Sequence, residues 1–181
     1  VTVKHRVGID DLDSDILLTA FVDQLAAAGA TRFSVHARKA WLEGLDPKQN
    51  RTIPPLQHDR VIALKRRRPK LTIELNGGLN TPDQCLSALT QCDGAMVGRA
   101  AYAHPLRWAG MDALIYGDSE RSVKASEVIQ GLMPHAERHL ARGGRLWDLC
   151  RHLVQLHDFP LHLLFAQFQQ NCDILSPLKA G

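Results

Sequence analysis

Two hydrophobic periods alternate along the first hundred residues. Val1-Thr2-Val3 is a short β-branched run. From Asp15 to Ala28, apolar residues recur at helical spacing (Ile16, Leu17, Ala20, Leu25, Ala28) and stop at Gly29, a C-cap residue. Arg32-Phe33-Ser34-Val35 predicts a second strand, and residues 36–56, with Pro47, Pro54 and Pro55, carry no clear period. Loops of that length inside a compact domain are usually functional. A helix is predicted from Asp59 to Arg67, ending before Pro69. Leu71 to Leu75 reads as a strand and Asn76-Gly77-Gly78 as a turn, with Thr81 as N-cap and Pro82 at the first helical position. A helix over 82–91 leads to the apolar run Ala95-Met96-Val97, followed by Gly98-Arg99.

Four consecutive strand–helix units predict an α/β fold with parallel strands and outer helices. A full (β/α)8 barrel takes about 250 residues. Four units therefore amount to half a TIM barrel, or alternatively to a small open sheet. From Ser119 the pattern is purely helical (Val123, Val128, Ile129, Leu132, then Leu140, Leu146, Leu149, Leu153), broken at Gly143-Gly144. We expect three parts: an α/β part over 1–116, a small all-α helical domain over 117–159, and an apolar, Gln-rich tail over 160–181.

Composition narrows the classes. With 45% hydrophobic and 23% charged residues, the chain is globular rather than disordered. The net charge of +3 is too mild to specify a partner, so the placement of the cations must. No apolar run approaches the roughly 18 residues of a membrane span, and none is expected. Cys85, Cys92, Cys150 and Cys172 form no CxxC pair, which suits a reduced, cytoplasmic setting. His135 and His139 have a zinc-compatible spacing, but no third ligand follows, so we expect two surface histidines and no metal. The chain opens directly in a strand-like run without Met, and is expected to be a fragment.

The polar residues gather at one place relative to the strands. Lys4-His5-Arg6, His36-Ala37-Arg38-Lys39, Asn76-Gly77-Gly78 and Gly98-Arg99 each follow a predicted strand. Ligands of α/β sheets and barrels bind at that end. Glycine turns let backbone N–H groups approach a phosphate, and the guanidinium fork of Arg99 can pair with one. Ordinary βα turns would use glycine as well. Lys4 is either a charge for a developing anion or a surface lysine, and His36 either a ligand contact or a satisfied strand-end histidine. Arg38 and Lys39 open a loop carrying Trp41 and Leu42, a mixture that suits a nucleic-acid surface or buried loop anchors. Lys65-Arg66-Arg67-Arg68 lies at the opposite end and reads as a solvated face. Arg138, Arg142, Arg145 and Arg151 form a possible phosphate-tracking stripe in the helical part.

Taken together, VTVKHR, VHARKAWLEGLDPKQNRTIPPL, TIELNGG and DGAMVGRAAYAHP, in this order, resemble the tRNA-dihydrouridine synthases, specifically the DusA branch, over residues 1 to 158. The resemblance implies the C-terminal half of an FMN-binding (β/α)8 TIM barrel followed by a helical tRNA-binding domain. It implies a cytoplasmic enzyme that reduces a D-loop uridine of tRNA (U20/U20a) to 5,6-dihydrouridine, using FMN re-reduced by NADPH. By position, Lys4, His36, Asn76, Gly77 and Gly78 would hold FMN, with Gly98 and Arg99 at its phosphate. Arg38, Lys39, Arg145 and Arg151 would meet the tRNA. The family's proton-donating Cys belongs to the missing N-terminal half of the barrel, so no residue here inherits a catalytic role and the chain alone is expected to be inactive. Beyond Phe159 the sequence departs from the family's expected ending. Two other readings are a phosphate-binding barrel enzyme acting on a small metabolite and a non-catalytic RNA-binding module.

Overall fold

The computed structural model describes residues 1–119, 122–153 and 155–156. The tail assigned to 160–181 lies outside the described residues. The chain divides into two compact units, Val1–Ala100 and the remainder from Ala101. The sequence pattern changes character only at Gly117.

The first unit is built on four parallel strands, β1 (Thr2–Arg6), β2 (Arg32–His36), β3 (Thr72–Asn76) and β4 (Gly94–Met96), in the order β1-β2-β3-β4. Helices α1 (Asp15–Ala27), α2 (His58–Arg67) and α3 (Pro82–Leu89) connect them. This is an α/β fold with a parallel sheet, consistent with a partial TIM barrel. The caps follow the sequence: the Ser14 side chain accepts from the Leu17 amide, and Thr81 with Gln84 closes a capping box behind Pro82.

Register sorts the strand residues onto two faces, because successive side chains alternate. Phe33, Val35, Ile73 and Leu75 are buried, and with Val22, Val61, Leu64 and Cys85 they make up much of the core of this unit. The alternate positions are polar. Lys4, Ser34 and Glu74 align in one row, and Arg6, His36 and Asn76 in the row at the C-terminal ends. Glu74 accepts from Arg32 Nε at 2.7 Å, and its Cγ would lie 2.8 Å from a Cβ on Gly94, so that row has room only for glycine on β4.

All four strands have bounds displaced from the sequence reading. β1 runs on to Arg6, so Lys4, His5 and Arg6 lie within the strand rather than after it; pairing with β2 carries the ladder to the Arg6–His36 register. His36 and Asn76 likewise close β2 and β3 instead of opening the loops that follow. β4 starts one residue earlier than its apolar run, at Gly94, opposite Glu74.

In the second unit, α5 (Met111–Tyr116), α6 (Ala125–Ala141) and α7 (Leu146–Leu153) are described, and α4 (Arg99–Ala103) spans the division between units. Ala125, Ile129, Ala136, Cys150, Leu153 and Leu156 form its core, with Leu132, Leu146 and Leu149 packed against it. Only one of the two histidines predicted at the surface is exposed. His135 is, but the His139 ring packs over the backbone of Gly144 and its Nε2 is buried without a hydrogen-bond partner. A residue at the end of α6 is covered by the chain reversal at Gly143-Gly144, which helical spacing alone does not reveal.

Candidate functional site

The C-terminal strand ends bring two predicted site residues, His36 and Asn76, into line with two unpredicted ones, Arg6 and Met96. Arg6, His36, Asn76 and Met96 are successive Cα partners across the four strands. Adjacent strands lie about 4.8 Å apart, so these side chains form a continuous row. Asn76 is buried and donates from Nδ2 to the Met96 carbonyl at 2.7 Å, tying β3 to β4 just before Gly98.

Behind Asn76, Gly77 and Gly78 have φ of 106° and 72°, conformations that side chains rarely adopt. A Cβ on Gly77 would stand 3.3 Å from His36 Nε2, and one on Gly78 would overlap Leu56. His58 Nε2 contacts the Gly77 carbonyl at 2.8 Å, and Asn80 donates to the Gly78 carbonyl at 3.0 Å. These two glycines therefore have an intramolecular reason to be glycine. Gly98 has none: it is exposed and nothing lies within 4 Å of its would-be Cβ.

The long segment after β2 is held to the strand ends by guanidinium groups. Arg6 Nη1 donates to the carbonyls of Lys39 and Asn50, each at 2.9 Å. Arg38 donates to the Pro54 carbonyl, and Arg99 Nη2 to the Arg51 carbonyl at 3.0 Å. Asn50 braces the loop from within, accepting from the Trp41 amide and donating to the Trp41 and Leu45 carbonyls. The loop is thus a strapped structure with a polar backbone lining.

Its electrostatics are one-sided. Burial first, then the charges of Arg6, Lys4, Arg38 and Arg99, hold His36 well below an ordinary histidine, at about 4. Its Nδ1 is buried and has no hydrogen-bond partner among the described residues. Burial followed by the charge of Arg6 lowers Lys4; burial, Arg51 and Arg38 lower Arg6; burial and Arg99 lower Arg38. Among the described residues, no carboxylate acts appreciably on these four groups. Several cations thus act on one neutral imidazole, an arrangement whose mutual repulsion an anion would relieve.

Lys39 stands apart from that cluster, since its Nζ lies 3.1 Å from the Asp13 carboxylate, which Arg60 also engages. The opposite-end basic run is similarly neutralised: Lys65 pairs with Asp93, Arg67 with Asp15 and Arg68 with Asp23. Arg145, at the start of α7, pairs with Asp148 at 3.0 Å, and Arg151 on α7 contacts His152 at 3.1 Å; both are exposed in the second unit. The sequence reading passed over Arg6 and Arg51 as site residues. Arg6 was within reach of that reading, standing two positions after Lys4 on the same strand face. Arg51, in an aperiodic loop, carried no signal.

Two outcomes follow from this geometry. Gly78→Ala should cost roughly 1–2 kcal/mol of stability through its left-handed backbone and the Leu56 contact, whereas Gly98→Ala should stay within about 0.5 kcal/mol. Denaturant unfolding of both variants checks the contrast. His36 stays neutral while the unfolded chain, near 6.5, takes up a proton, so its contribution to stability falls as pH drops from about 6.5 to about 4. An NMR titration that found the His36 ring protonating near 6.5 would refute the buried cationic cluster.

Among the described residues, no helix is long and apolar enough to cross a membrane, and no three His, Cys, Asp or Glu side chains are grouped to hold a metal. Comparison with known proteins places the chain directly. The family model "Dihydrouridine synthase (Dus)" matches residues 1–171, beyond the 158 at which the sequence motifs give out. Proteins named tRNA-dihydrouridine(20/20a) synthase are similar: one from Shewanella oneidensis is 47% identical over 156 residues, covering 86% of this chain and 47% of the relative. One from Synechocystis sp. is 48% identical over 158 residues (87% and 47%), and one from Pseudomonas aeruginosa 44% over 168 residues (92% and 51%). The chain spans about half the length of the curated relatives it matches. With the parallel sheet and the strand-end motifs all inside the matched region, the chain belongs to the dihydrouridine synthase family.

Proposed function

We propose that this chain is the C-terminal half of the barrel, with the following helical tRNA-binding domain, of an FMN-dependent tRNA-dihydrouridine synthase. The enzyme would reduce a D-loop uridine (U20/U20a) with NADPH as the reductant, in the cytoplasm where tRNA is found. The observation that carries the reading is the cation cluster: Lys4, Arg6, Arg38, Arg51 and Arg99 converge at the strand ends around a neutral His36. The curated relatives are all named for a reaction on tRNA, which favours this over an enzyme acting on a small metabolite.

The residues present fit a flavin mononucleotide. Its phosphate is a dianion, and the cluster offers cations without opposing carboxylates, an open approach at Gly98 and an unpartnered imidazole nitrogen. Gly98 and Arg99 would hold the phosphate, and Lys4, His36, Asn76, Gly77 and Gly78 the remainder of the cofactor. Bound there in its reduced form, FMN would supply a hydride to uracil C6, with a proton needed at C5. The chain's own residues orient and neutralise. Lys4 is placed to balance negative charge at the strand ends, and burial and charge keep the His36 imidazole neutral.

The proton for uracil C5 would come from a group other than Cys85 or Cys92. Cys85 and Cys92 are buried on and after α3, away from the strand ends, and burial pushes both thiols up. β1 is an edge strand, and Leu12, Leu17 and Phe21 are exposed beside a cavity of about 590 Å³ that His5 and Val7 also line. That apolar edge suits a preceding βα unit of the same barrel.

Arg38, Lys39, Arg145 and Arg151 would contact the tRNA. Lys39 would do so in exchange for its pairing with Asp13. In the complete protein that carries this sequence, Arg99→Ala should weaken FMN retention by about tenfold or more, through loss of a charge-assisted phosphate contact. Full flavin occupancy of that variant under dilution would refute the phosphate role. In filter binding of an unmodified tRNA transcript across a salt series, Arg38→Ala with Lys39→Ala should flatten the slope by up to about two counterions. Arg66→Ala with Arg67→Ala should change it much less, and the reverse ranking would sink this docking face.

A further inference from the structure

Two guanidinium groups, those of Arg6 and Arg99, hold the 37–56 loop against the strand ends, Arg38 braces it from within, and two cations of that loop oppose the holding. Arg6 ends β1 and Arg99 opens α4 just after β4, whereas Arg38 and Arg51 belong to the loop. Arg51 and Arg38 act as like charges on Arg6, and Arg99 acts so on Arg38. The loop is therefore docked by hydrogen bonds to its carbonyls while its own side-chain charges repel the surface beneath. An anion placed among these four charges would remove the repulsion and leave the hydrogen bonds.

Arg99 is the group through which this would act. Its Nη2 donates to the Arg51 carbonyl at 3.0 Å, yet the residue is exposed. A guanidinium carries five N–H donors in a planar fork. One edge can stay on the loop carbonyl while the other takes a phosphate oxygen. The bonded carbonyl sits in a tight turn: Asn50 N donates to Asp46 O, Arg51 N to Lys48 O, and Thr52 N and Ile53 N to Gln49 O. Fixing Arg51 therefore fixes four amides whose exchange with solvent reports the state of the loop.

We propose that Arg99 is a positioning residue for the 37–56 loop: a phosphate held at the strand ends fixes, through the Arg99–Arg51 bond, the loop that bears Arg38 and Lys39. The proposal rests on the reading of the strand ends as a phosphate site and adds that cofactor and RNA binding are coupled. Linkage makes the coupling reciprocal, so RNA that holds the loop down also raises the affinity for the phosphate-bearing cofactor. A dissociating flavin would loosen the RNA-contacting loop at the same moment.

The test is amide hydrogen exchange of the complete protein that carries this sequence, with occupancy followed by flavin absorbance. FMN should slow exchange at Asn50, Arg51, Thr52 and Ile53 by about tenfold or more relative to the flavin-free protein, with α3 amides unchanged. Riboflavin, which lacks the phosphate, should not slow it. Arg99→Ala saturated with FMN should exchange there as the flavin-free protein does. If FMN binds and these amides are unaffected, or Arg99→Ala retains the protection, the coupling is overturned while the cofactor reading stands. If FMN does not bind at all, both fall.

Discussion

Parallel register is the constraint from which the site follows. Strand pairing sets Arg6, His36 and Asn76 side by side at the sheet's C-terminal edge, and alternation turns Phe33, Val35, Ile73 and Leu75 to the buried face. A slip of one residue would exchange these sets. The burial of four large apolar side chains therefore fixes where the cations stand.

The cations so placed repel one another, and the loop after β2 is what accommodates them. Neutral carbonyls of Lys39, Asn50, Arg51 and Pro54 accept from Arg6, Arg99 and Arg38 where carboxylates could have served. Carbonyls satisfy donors without cancelling charge, so the field at the strand ends survives for an anionic ligand. The basic run at the other end is handled in the opposite way. There Asp15, Asp23 and Asp93 neutralise Arg67, Arg68 and Lys65. Two regions rich in arginine and lysine thus differ in the charge they offer a partner, and the difference lies in what each is paired with.

Lys39 and Arg38 show the same distinction at neighbouring positions. Arg38 belongs to the unbalanced cluster, while Lys39 turns to Asp13 and joins an ion-pair network with Arg60 and Asp15. That network ties the segment after β1 to α2, and the Lys39 charge is largely spent within the fold.

Much of this was legible in the residues themselves. Hydrophobic period, the cap at Thr81, and glycine turns after polar strand ends determine a parallel α/β unit with its chemistry at one edge, because these signals depend on neighbours within a few positions. Motif order along the chain likewise determined the family. Strand ends were less legible, since Lys4, His5 and Arg6 are polar and only pairing with β2 extends β1 through them. The tertiary structure alone decided which cations remain uncompensated, because ion pairing joins residues far apart in sequence, as in Lys39 with Asp13 and Arg68 with Asp23. It also gave Arg51 its place, by bringing an aperiodic loop against the start of α4, and it separated Gly77 and Gly78, constrained by backbone and packing, from Gly98, which no neighbour among the described residues constrains. Local pattern names the elements; which charges face one another depends on contacts that only the folded chain makes.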